Sequence, residues 1–325
     1  MERLLRRLAF TLFLCAPLIA QHHHLNPAAN PPNPTVFSAD KCSTSNSNHF
    51  TQFCPLPYDG GAHPIDSDCG HCGDAADSNL PPDKLTAELM QNFQKTNLCS
   101  PSDAPVEITP DDLKNLQDQV NRLPGFKYGN SHAGGFGPPV DRAPLRNMRP
   151  VNGKSLQEGI VVRFAGFMVD EHYSPTSPSQ GGESVNCGES DHPNVDIHIS
   201  LGIKQERVPK RATGPEKEPI LCPTIGAEMI PHFRPDDWEF AQLESISDRQ
   251  VRVTGQLFFD GSHRACGDPH RATSDPKRIS SWEIHPIYAF EVCKRATGGC
   301  DINRDADWES LTDAVAGTTG ETEEP

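Results

Sequence analysis

Apolar residues alternate with polar ones through much of the second half of the chain, the period of half-buried β-strands. Ile160, Val162, Phe164 and Met168 predict a strand over Ile160 to Val169, and Val195, Ile197, Ile199 and Leu201 predict a second. Residues 219 to 230 read as a third, interrupted by Pro223 and Gly226. A short helix is expected to begin around Pro235-Asp236-Asp237 and to bury Phe240, Leu243 and Ile246. Val251, Val253, Leu257 and Phe259 mark a fourth strand, and Ile284, Tyr288, Phe290 and Val292 a fifth.

Earlier in the chain the period changes. Leu85, Leu89 and Phe93 recur every fourth residue after Pro81-Pro82, as one buried helix stripe would. A second helix has its start chemistry written out: Thr109 caps, Pro110 suits the first helical position, and Asp111 and Asp112 favour the positive end of the helix dipole. Leu113, Leu116, Val120 and Leu123 supply its apolar face. The resulting division is a signal over 1–20, a leader rich in His, Pro and Asn over 21–40, and a Cys-rich helical region over 41–123. A Gly/Pro/Asn-rich linker over 124–155, a β-barrel domain over 156–300 and an acidic tail over 301–325 complete it.

The order β-β-β-α-β-β, preceded by helices, makes the fold class mainly β within an α+β whole. It resembles the OB-fold, a five-stranded barrel with a helix between its third and fourth strands. That resemblance implies a binding or structural module whose ligand sits between the first-to-second and fourth-to-fifth strand loops. The segments Gly182-Glu183-Ser184-Val185-Asn186-Cys187, Asp196-Ile197-His198-Ile199 and Trp282-Glu283-Ile284-His285-Pro286 are also similar to a group of uncharacterised exported bacterial proteins. That likeness spans roughly the second half of the chain and implies no activity.

Compartment and partners follow from the ends and the charge. Arg3, Arg6 and Arg7 precede an apolar run from Leu8 to Ala20, the pattern of an export signal and too short for a membrane span. The mature protein is therefore expected to be periplasmic or extracellular. Of eleven cysteines, Cys15 lies in that signal. The others (Cys42, Cys54, Cys69, Cys72, Cys99, Cys187, Cys222, Cys266, Cys293 and Cys300) are disulfide candidates, and five on each side of the linker require at least one bridge between the halves. A net charge of −15, part of it in the tail, argues against general nucleic-acid binding.

Four acid–histidine couples carry the candidate chemistry: Asp196 with His198, Glu228 with His232, Asp260 with His263, and Glu283 with His285. Carboxylate and imidazole together suit a divalent metal, or acid–base work on a substrate. Antiparallel pairing predicts two separate clusters: Asp196, His198, Glu228 and His232 in one, Asp260, His263, Glu283 and His285 in the other. Strand alternation turns Asp196, His198, Glu283 and His285 away from the core, where they would hold an ion or simply be solvated. The leading reading is an exported, disulfide-stabilised binding or structural module of unknown ligand. The alternative is a metal-dependent, phosphodiesterase-like hydrolase. A third, thiol–disulfide oxidoreductase chemistry, rests on Cys69-Gly-His-Cys72, whose first reading is a structural disulfide and whose second is zinc. Arg264, Arg271, Lys277 and Arg278 read as a solvated basic loop.

Overall fold

The computed structural model describes residues 63–67, 69–70, 72–73, 81–97, 104–130, 134–175, 181–235 and 237–319. The signal and leader readings, and Cys42, Cys54 and Cys99, lie outside them. The elements in chain order are α1 (Pro82–Lys95), β1 (Val106–Glu107), α2 (Pro110–Val120), β2 (Val161–Ser174), β3 (Asp196–Gly202), α3 (Gly214–Leu221), β4 (Ile225–Met229), α4 (Phe240–Ser245), β5 (Gln250–Phe259), β6 (Trp282–Cys293), β7 (Trp308–Ser310) and α5 (Leu311–Thr319).

Five of these strands close into a barrel in the order β2-β3-β4-β6-β5, with β5 returning to β2. Every barrel pairing is antiparallel except β4 with β6, which run parallel at Ala227 and Ile284. With α4 between β4 and β5, this is an OB-like barrel, as the element order predicts. Strand alternation explains its interior: Val162, Phe164 and Met168 of β2, Ile197, Ile199 and Leu201 of β3, and Val251, Val253, Leu257 and Phe259 of β5 share one core. The helices add Leu113, Leu116 and Val120 of α2, Leu243 of α4, and Ile246 just after it. β1 and β7 extend the sheet by pairing with β2 and β6.

Three readings of the pattern are corrected. Residues 219 to 230 are not one strand, because α3 occupies Gly214–Leu221 and only Ile225–Met229 extends. The helix wins there because Pro215 stands in its first turn and Thr213 and Glu216 form a capping box. Tyr288 does not face the core; Ile287 is buried instead, and the Tyr288 hydroxyl donates to the Asn97 carbonyl at 2.7 Å. The β5–β6 register shifts on both sides of Gly255, which breaks the simple alternation. The expected solvated loop is also tied down: Arg264 pairs with Asp268, Arg271 with Glu218, and buried Arg278 with Asp260 and Glu283. Within 124–155, Tyr128, Leu145 and Val151 belong to the barrel's core cluster.

The outside of the barrel is covered as well as the inside. α1 lies over the outer face of β5 and β6 through side-chain amides: Gln94 donates to Gln256 at 2.7 Å, Gln256 donates back to the Gln94 carbonyl at 2.8 Å, and Gln91 accepts from the Gly261 backbone at 2.8 Å. Three disulfides join described cysteines: Cys69 to Cys187, Cys222 to Cys266, and Cys293 to Cys300. The first is the bridge between halves that the cysteine distribution demands. No helix among the described residues is long and apolar enough to cross a membrane.

Candidate metal centre

The acid and histidine residues converge because of how the barrel closes. On β3, Ile197 and Ile199 point inward, so Asp196 and His198 point outward. The antiparallel register then places His198 beside Glu228 of β4. On β6, inward Ile284 turns Glu283 and His285 to the same outer side, and the parallel pairing of Ala227 with Ile284 brings both next to Glu228. His285 Nδ1 stands 2.7 Å from Glu228 Oε2, and His198 Nε2 stands 3.5 Å from the same oxygen. The two expected clusters are therefore one, joined at Glu228.

Three of these groups are shut away from solvent. Asp196, Glu283 and His285 are 0% exposed although they face away from the barrel interior. Two elements cover them. The last turn of α1 inserts Lys95, whose Nζ lies 3.2 Å from Glu183 and 3.7 Å from Glu228. The turn at 183–187 adds Glu183, which lies 3.1 Å from His198 Nε2. Neither Glu183 nor Lys95 belongs to an acid–histidine couple. The only sequence signal for Glu183 is its place in the Gly182–Cys187 segment, and Lys95 has none, being one lysine on an amphipathic helix.

Within this cluster two sets of donor atoms lie within 4.8 Å of one another: Glu183, Asp196, His198 and Glu228, and Glu228, Glu283 and His285. Their geometry is that of atoms aimed at a common point. Both oxygens of Asp196 are buried and accept no hydrogen bond from any described residue. His285 Nε2 likewise makes none, while His198 Nε2, His285 Nδ1, Glu228 Oε2 and Glu283 Oε1 meet only one another, Glu183 or Lys95, at ion-pair distance. A buried polar atom without a partner is costly, so a cluster of them calls for a shared one.

Electrostatics agree with this crowding. Burial, then the Glu183 charge, lift the Asp196 carboxyl to about 6. For His198, burial opposes the charged form, but Glu228 and Glu183 overcome it and raise the value to about 10. His285 behaves the same way beside Glu228, reaching about 9. Burial also opposes the charge on Lys95, yet the surrounding carboxylates hold its value well above the ordinary one. Within the protein alone, then, protons on the imidazoles balance the carboxylates.

The remaining candidates divide. Asp260 and His263 sit at the edge of the same cluster, His263 Nδ1 lying 2.7 Å from Asp260, while Arg278 links Asp260 to Glu283. His232 is elsewhere: Pro231 turns the chain after β4, and the ring is buried with Nδ1 2.9 Å from Asp66. His172 lies on β2 opposite His198. The Cys69-Gly-His-Cys72 reading as a redox pair is overturned, since Cys69 is bonded to Cys187 and Cys72 is itself disulfide-bonded. A zinc site using Cys69 falls for the same reason.

A cavity of about 950 Å³ opens on the cluster. Its walls include Gly181–Val185 from the first-to-second barrel-strand loop and Ser262, His263, Lys277 and Arg278 from the fourth-to-fifth, with His198 and Glu228 between them. These are the loops between which OB barrels hold ligands. No family model, curated protein or solved structure matches the chain.

Proposed function

We propose that this protein is an exported hydrolase whose OB-like barrel holds a divalent cation with Glu183, Asp196, His198 and Glu228 and acts on a phosphodiester or similar ester in the adjoining cavity. The observation that carries the reading is Asp196, a fully buried carboxylate with both oxygens unpartnered among the described residues and three further donors around it. Three carboxylates and one imidazole suit Mn²⁺ or Zn²⁺, hard to borderline ions. A bound ion of this kind polarises an ester oxygen and lowers the pKa of a coordinated water. The cavity gives a substrate access to that position. The disulfides support an oxidising compartment and, with the signal-like first residues, export.

The place of the cavity between the two loops also favours a second reading, a binding module in which the ion bridges protein and ligand without turnover. The two separate in one experiment. Untagged protein, stripped and then offered Zn²⁺, Mn²⁺ and Ca²⁺, is expected to retain Mn²⁺ or Zn²⁺ by elemental analysis, and Asp196→Ala/His198→Ala to retain neither. Loaded wild type is expected to hydrolyse bis(p-nitrophenyl) phosphate and to stop on addition of EDTA. An ion without turnover leaves the binding module; no ion in the wild type refutes both.

A further inference from the structure

We infer that Glu228 bridges two cation positions, the second formed by Glu283 and His285. The inference rests on the proposed first position, and Glu228 belongs to both donor sets. His285 is 0% exposed, its Nε2 makes no hydrogen bond to a described residue, and its Nδ1 is turned to Glu228 and Glu283. Its Nδ1 lies 2.7 Å from Glu228 Oε2 and 3.5 Å from Glu283 Oε1, both oxygens lacking hydrogen bonds of their own. Three donors of two chemical types are thus turned toward one another, and Glu228 Oε2 is shared with His198 Nε2 at 3.5 Å, the arrangement expected of a bridging carboxylate beside a metal site that keeps open positions.

Arg278 does not compete for this position. Its guanidinium takes Glu283 Oε2 and Asp260 Oδ2, which leaves Glu283 Oε1 directed at His285. Two ions placed side by side would let one hold an attacking water while the other holds the leaving oxygen of an anionic ester.

The rival role for His285 is positioning: an imidazole that orients Glu228 as a ligand of the first ion alone. Titration of full-length, metal-stripped protein with Mn²⁺, followed by elemental stoichiometry and electron paramagnetic resonance, decides between them. Two ions per chain with an exchange-coupled Mn²⁺ pair are expected in the wild type, and a single uncoupled ion in His285→Ala and Glu283→Gln. One uncoupled ion in the wild type overturns the inference while the single-ion proposal stands, and no bound ion overturns both. Because the wild-type stoichiometry is itself diagnostic, the test survives even where a variant misfolds, and circular dichroism identifies that case.

Discussion

At the level of single residues, the decisive groups are imidazoles whose protons stand where an ion would. His198 and His285, raised to about 10 and about 9 by neighbouring carboxylates against the opposing effect of burial, are protonated at neutral pH in the metal-free protein. A raised folded-state value means that protonation stabilises the fold: the contribution is fully present below about 6.5 and disappears as pH rises through about 9 and 10. Metal ligation needs the neutral ring, so binding must expel protons. Calorimetry of Mn²⁺ binding at pH 7.5 in buffers of different ionisation heat is expected to show net proton release and an affinity that climbs toward pH 9. An enthalpy independent of buffer would mean that neither histidine is a ligand. Asp196, His198, Glu283 and His285 were legible because each of their couples repeats acid and imidazole on an alternating strand, whereas Glu228 was named beside His232, which the structure pairs with Asp66 instead. Glu183, Lys95 and Arg278 were not legible, since a carboxylate in a turn and a cation on a helix or in a loop carry no periodic mark until tertiary structure places them.

Among the elements, α2 shows how far local chemistry reaches. The expected Thr109 cap is present as a reciprocal box, with the Asp112 backbone donating to Thr109 Oγ1 at 3.2 Å and the Thr109 backbone donating to Asp112 Oδ2 at 2.9 Å. Asp112 also accepts from Asn152 at 2.6 Å and Lys154 at 2.7 Å, which fastens the helix to the connection before β2. Burial alone would raise the Asp112 carboxyl, but these contacts win and lower it. Its stabilisation is therefore present above about pH 4 and lost as pH falls further. Thr109→Ala is expected to cost about 1 kcal/mol. Asp112→Ala should cost roughly 2–3 kcal/mol, because charge-assisted bonds are lost and buried donors stranded. Urea unfolding at pH 7 measures both, and at pH 3 the Asp112→Ala deficit should shrink while that of Thr109→Ala persists in part. The misreading of residues 219–230 belongs to this scale too: Ile220 and Leu221 have strand-like composition, but the capping pair Thr213/Glu216 upstream sets a helix.

For the whole molecule, the site depends on contacts that no local pattern encodes. The barrel's one parallel pairing, β4 with β6, merges two clusters into one, and a covering turn adds Glu183 to it. That turn is held from far away in sequence. Cys187, at its end, is bonded to Cys69, 118 residues earlier. Gly73 passes so close that a Cβ there would lie 2.1 Å from the Ser184 carbonyl oxygen. The Asn92 side chain of α1 donates to Ser184 Oγ at 3.2 Å. The barrel itself is independent of this clamp, since its core and its other two disulfides lie elsewhere. Removing the clamp should therefore separate site from scaffold. Cys69→Ser/Cys187→Ser is expected to lose roughly 2–5 kcal/mol of stability, as breaking a long-loop disulfide does. It should nevertheless keep the β-sheet circular dichroism of the wild type. With Glu183 no longer pinned beside His198, Mn²⁺ affinity should fall about tenfold or more, the size expected when the support of a metal ligand is lost. Glu183→Gln in the intact disulfide background should reproduce most of that loss without the stability cost. Unchanged ion affinity in the disulfide variant, measured where it remains folded, would show that the turn carrying Glu183 is held by α1 and the barrel alone.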